Sequence, residues 1–139
     1  MKQIVIALLS LALTTTAFAN RQKTVEFSKF EDDIDFISEI VNNSGVGDNG
    51  ETCRFEFSES ESKELLLLAV ANEKMGIIHV MVKKSETISV QEKSETDGSY
   101  VRKYDLGNNA SFTLVHADDA YDEMKLSDGQ QEWKCGAYY

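Results

Sequence analysis

His116, Asp118, Asp119, Asp122 and Glu123 form the densest run of side chains in this sequence able to hold a metal or move a proton. A transition-metal site draws at least two strong ligands into fixed geometry, and this run offers a single histidine with acids on a turn. The other histidine, His79, is far away along the chain and alternates away from the apolar Ile78 and Val80. No serine or cysteine accompanies either histidine in a pattern that would make a nucleophile and its base. Asp48, Asn49 and Glu51 have the chemistry of calcium ligands but not the spacing of an EF-hand loop. The reading is therefore a non-catalytic chain with no cofactor and no resident metal, in which His116 is a core or rim histidine bonded to a neighbour.

The other reactive pair is Cys53 and Cys135, the two cysteines of the chain. Their compartment is set by the first residues. Met1-Lys2-Gln3, an apolar run from Ile4 to Leu13 and the exit Ala17-Phe18-Ala19 have the charged start, short greasy centre and A-x-A cleavage site of a secretory signal peptide. A run of that length is about half of the ~20 residues that span hydrocarbon, so residues 1–19 are expected to be removed and the chain exported to a periplasmic or extracellular space. Cysteines in an exported chain pair, and one pairing is available within it, Cys53 to Cys135.

Charge limits the partners. The chain carries a formal net charge of −10, with 24 acidic residues against 14 Lys and Arg, and loss of Lys2 makes the mature form more acidic still. Nucleic acid and anionic membrane surfaces are bound through Lys and Arg, so neither is an expected partner. About 120 residues suffice for one core and not two.

The elements that position these groups fall into two parts. Residues 20–52 read as a polar lead, a helix and a linker. Ser28 and Glu31 have the spacing of a capping box, and Phe30, Ile34, Ile37 and Val41 recur on one helical face. Asn42-Asn43-Ser44-Gly45 supplies the stop, giving about four turns, and Gly45 to Glu51 is a flexible linker. Phe36 falls outside the apolar stripe.

From Cys53 the period changes to two, and residues 53–139 read as about eight short strands joined by short turns. Cys53, Phe55 and Phe57 share one face of the first. Leu65 to Ala71 is apolar throughout, as in a strand buried on both faces, and the helix is expected to dock there. Asp97-Gly98 and Asp128-Gly129 predict two-residue type I′ hairpins. The complete absence of proline suits strands that all donate to neighbours. Asn42-Asn43-Ser44 and Asn109-Ala110-Ser111 fit the glycosylation sequon.

The fold class expected is mainly β: an N-terminal helix, then an antiparallel up-and-down sheet closed or nearly closed into a small barrel. Cys53 and Cys135 both point inward and can bond only where the first and last strands meet, which favours closure; a two-sheet sandwich is the alternative. Phe55, Phe57, Ile78, Val80, Val82, Ile88, Val90, Phe112, Leu114, Met124, Leu126 and Trp133 would fill the interior. Binding then falls to the exterior, to the acidic loops carrying Glu59, Glu61, Glu64, Glu92, Glu95, Asp97, Asp118, Asp119, Asp122 and Glu123. In size, acidity, its two cysteines and the small barrel inferred from them, the chain is similar to periplasmic inhibitors of c-type lysozyme, a likeness of architecture. The function expected is a secreted or periplasmic binding or inhibitory module for a basic protein or peptide. Competing readings are a carrier of a small apolar ligand, and a short outer-membrane barrel or structural envelope protein.

Overall fold

The computed structural model describes residues 21–139; the expected signal peptide, residues 1–19, lies outside them. Strand β1 (Arg21–Glu26) leads directly into helix α1 (Phe27–Ser44), and eight strands follow: β2 (Cys53–Glu59), β3 (Leu65–Asn72), β4 (Gly76–Lys83), β5 (Thr87–Ser94), β6 (Tyr100–Gly107), β7 (Ala110–Ala117), β8 (Tyr121–Ser127) and β9 (Glu132–Tyr138). All pair antiparallel, in a six-stranded sheet of order β1-β5-β6-β7-β8-β9 and a three-stranded sheet of order β2-β3-β4.

The meander does not close into a barrel, and the two-sheet alternative is the one found. The reason is β1, a stretch expected to be polar lead. An up-and-down barrel needs β4 to pair with β5, but β1 takes that side of β5, with Lys23 opposite Val90 and Val25 opposite Ile88. Of its side chains Val25 packs against the core, so a strand whose pairing rests on backbone bonds leaves little apolar pattern to read.

Helix α1 is longer than expected, at 18 residues, and starts differently. Ser28 falls inside the first turn, so the Ser28–Glu31 box does not form; Glu26 is the N-cap without a side-chain bond. The Phe27 amide instead donates to the Glu86 carbonyl at 2.9 Å, which satisfies one donor of the helix start. At the other end Gly45 is extended, with φ −69°. It is glycine because a Cβ there would lie 2.7 Å from the Cys53 carbonyl oxygen and 2.8 Å from Cys135 Sγ.

The stripe Phe30, Ile34, Ile37 and Val41 is fully buried, as its spacing required. It docks against β2, β8 and β9 rather than on Leu65–Ala71. That segment alternates instead of being buried on both faces: Leu66, Leu68 and Val70 point inward, and Leu67 is exposed. Asn42 fixes the helix end to β2, its Oδ1 accepting from the Phe55 amide at 2.8 Å and its Nδ2 donating to the Phe55 carbonyl at 2.7 Å. The side chain of the first sequon is thus committed to the fold.

On one flank the two sheets are stitched together. Val46 donates to and accepts from Gly136 on β9, at 2.8 and 3.0 Å, and also bridges Thr52 beside β2. The Cys53–Cys135 disulfide lies across the same junction, with Cα atoms 5.9 Å apart. The linker is equally committed: Glu51 is buried, accepting from the Asn49 amide at 2.9 Å and Asn72 Nδ2 at 3.0 Å, while Asp48 pairs with Lys134 at 2.9 Å.

Turn chemistry departs from the Asp-Gly expectation. Gly98 and Gly129 have positive φ but Asp97 and Asp128 do not, so neither pair makes a type I′ turn. The two-residue turn with both centres left-handed is Asn108-Asn109, at φ 53° and 66°, between β6 and β7. Asp97 and Asp128 serve their turns differently, by accepting backbone amides from Ser99 and from Gln130 and Gln131.

Candidate functional site

Along β5 to β8 the inward-facing positions change character toward one end of the larger sheet. Val90 is followed by Glu92, Tyr104 is preceded by Arg102 and Tyr100, Leu114 is followed by His116, and Met124 is preceded by Asp122. Phe30, Tyr104, Phe112 and Phe55 form a linked aromatic cluster in the apolar half, with centroids 5.0 to 6.3 Å apart between neighbours. Beyond it the same inner face becomes a polar shelf bordered by α1.

The shelf begins at Asp33, which sits on the apolar side of α1 and is 7% exposed. A buried carboxylate needs a charge partner and further hydrogen bonds. Arg102 Nη1 reaches its two oxygens at 3.1 and 3.3 Å, and the Tyr104 hydroxyl donates at 2.5 Å. Arg102 Nε also donates to Glu92 at 2.9 Å, and Lys23 reaches Glu92 at 3.1 Å. Burial and the bond to Asp33 push the Tyr104 phenol far above its ordinary value. Burial opposes ionisation of Glu92, but its bonds to Arg102 and Lys23 hold its carboxyl below its ordinary value.

The shelf continues through stacked side chains. The Arg102 guanidinium lies 4.1 Å from the centroid of the Tyr100 ring, and His116 stacks on that ring at 5.1 Å. His116 Nδ1 lies 2.5 Å from Asp122 Oδ1, and the other Asp122 oxygen accepts from the Tyr139 hydroxyl. The bond to Asp122 raises the Tyr139 phenol above its ordinary value. Asp122, 2% exposed, therefore orients the imidazole, and Nε2 is left 3.9 Å from Asp118 Oδ1. Among the described residues no serine, threonine or cysteine bonds to that nitrogen, and no group of three or more His, Cys, Asp or Glu converges as a metal site would require. The pair can orient a ring or exchange a proton; it has no attacking group in place.

The two turns at this end are joined. The Asp118 amide donates to Ser99 Oγ at 3.2 Å, and Gly98 lies against Asp118. Glu95, Asp97, Asp118 and Asp119 are thereby brought to one rim. Glu95 pairs with Lys93 at 3.5 Å; Asp97, Asp118 and Asp119 have no Lys or Arg partner among the described residues. Phe36 stands on the bordering helix, three residues beyond Asp33 and 40% exposed.

No protein-family model matches this chain, and no curated protein or solved structure does. Its functional reading rests on the geometry above.

The ten acidic residues expected to form one surface divide among four places. Glu95, Asp97, Asp118 and Asp119 are brought together at the rim. Glu92 and Asp122 are drawn into the shelf as structural acceptors, and Glu123 turns to the outer face, 3.7 Å from Lys134 and 3.2 Å from the Tyr138 hydroxyl. Glu59, Glu61 and Glu64 lie at the opposite end, where Lys84 pairs with Glu59 at 2.9 Å. Strand β5 alone separates the two ends by about 25 Å for its length. Asp33, Tyr100, Arg102 and Tyr104 escaped the sequence reading. A signal was present: Asp33 is three residues after Phe30 and four before Ile37, so an acid lay on the helix's apolar face and implied a buried base.

Proposed function

We propose that this protein is an exported, non-catalytic binding or inhibitory module that engages a basic protein or peptide at the rim formed by its β5–β6 and β7–β8 turns. The observation that carries this reading is the joining of those turns, which gathers Glu95, Asp97, Asp118 and Asp119 beside the His116 side chain and the Tyr100 ring stacked on it. Unpaired carboxylates steer a cationic partner, and adjacent aromatic rings supply contact area at low entropic loss. The aromatic-filled interior weighs against the apolar-carrier alternative. An outer-membrane barrel requires a closed sheet, which this strand order does not provide.

Replacement of Asp118 and Asp119 together by Lys is expected to weaken capture of basic proteins by roughly tenfold at low salt, mostly through the association rate. Glu61→Lys with Glu64→Lys, at the far end, should leave capture nearly unchanged. The measurement is affinity capture from secreted and envelope fractions at low and high salt, with c-type lysozyme as a defined basic probe. Equal loss from both ends, binding indifferent to salt, or no basic protein retained at low salt would remove the proposal.

Export is part of the same proposal and is supported by the signal-like first residues and by a disulfide that suits an oxidising compartment. Protein recovered from its native host is expected to begin at Asn20. Intact mass decides this, and a product that keeps Lys2 defeats it.

A further inference from the structure

The free edge of the smaller sheet carries a separate inference. Of the edges flanking the two sheets, those of β2 and β9 are occupied by Asn42, Gly45 and Val46. Strand β4 pairs with β3 on one side, and on its other side has no backbone partner among the described residues. In an antiparallel ladder alternate residues turn their N–H and C=O groups to opposite sides, so about half of the eight residues of β4 present unpaired donors and acceptors outward. Proteins protect such an edge with charge, proline or a bulge. Gly76–Lys83 has no proline and no bulge, and its one charge is Lys83 at the very end: its sequence is GIIHVMVK, without a carboxylate, in a chain of 24 acidic residues.

The face beside this edge is apolar as well. Ile77 and Met81 point outward at 57% and 62% exposure. Across the β3–β4 ladder Met81 is opposite Leu67 and Ile77 is opposite Ala71.

We propose that β4 is a self-association edge, pairing antiparallel with β4 of a second copy about a twofold axis at His79. Three observations select a second copy over a foreign strand. The register centred on His79 sets Ile77 opposite Met81 of the other copy and, by symmetry, Met81 opposite Ile77, which is the self-complementarity an isologous interface needs. It extends a continuous outward row of Leu67, Met81, then Ile77 and Ala71 of the second copy, repeated on the other side of the axis. It is also a stretch without carboxylates through which two copies of a strongly acidic chain meet with the least repulsion.

The salt response separates this from the rim. Screening relieves repulsion between two acidic copies, so self-association strengthens with salt whereas capture of a basic partner weakens. Sedimentation of the disulfide-closed protein is expected to show a reversible dimer with Kd on the order of 10 µM, tighter at high salt. Met81→Lys should weaken it at least about tenfold without moving the thermal midpoint, since the side chain lies outside the core. Under mild oxidation His79→Cys should give a disulfide-linked dimer, and Lys83→Cys, opposite Met75 in this register, should not. A monomer up to about 1 mM, well above that expected Kd, overturns the proposal, whatever else the edge then binds. So does a dimer unaffected by Met81→Lys, or one in which Cys at position 79 fails to cross-link.

Discussion

Replacement of both Cys53 and Cys135 by Ala is expected to lower stability by about 4.5 kcal/mol, the loop-closure value for a separation of 82 residues. For a domain of this size that is a large fraction of the total. In urea the midpoint should fall by about 2 M, at an ordinary slope for a small domain. The loss has a location. The bond ties β2 to β9 where Val46 bridges the sheets, and Gly45 packs against Cys135 Sγ. Hydrogen exchange should therefore rise first in β2 and in residues 42–47, ahead of the β6–β7 hairpin. Thiol labelling of unfolded, unreduced wild-type protein should find no free thiol. A double variant within about 0.5 kcal/mol of wild type would mean that the stitched flank, and not the covalent bond, holds the sheets in place.

Asp33→Ala is expected to destabilise by about 3 kcal/mol, because it leaves Arg102 and the Tyr104 hydroxyl without their buried acceptor. Asp33→Asn keeps an acceptor for Tyr104 while removing the charge, and should lose less. A double-mutant cycle of Asp33→Ala with Arg102→Met isolates the pair from the general effect of truncation. Acid should act on the same network through Glu92. Its folded carboxyl is held below its ordinary value, so its contribution is complete above the ordinary carboxylate range and is lost as the pH falls through the lower folded value. Chemical unfolding of the Asp33 variants between pH 7 and pH 3 tests both points. A loss under about 1 kcal/mol for Asp33→Ala would show that water reaches the pair and screens it.

The organisation of this chain was legible wherever burial imposes a period. The helix stripe Phe30, Ile34, Ile37 and Val41, the inward rows of β4, β5, β7 and β8, and the meeting of Cys53 with Cys135 follow from alternation, because a side chain on the wrong face would expose apolar area or bury a charge. β1 was not legible, since a strand held by backbone bonds at a sheet edge makes little demand on its side chains, and without β1 the break between β4 and β5 has no visible cause. Leu65 to Ala71 was misleading for the opposite reason: composition does not say whether an outward leucine is covered, and Leu67 is not. The acidic residues were all visible in the sequence, yet only tertiary structure divided them. Whether a carboxylate is a free charge or a structural acceptor depends on the strand beside it: Asp122 meets His116, Glu92 meets Arg102, and Asp118 and Asp119 meet no Lys or Arg among the described residues.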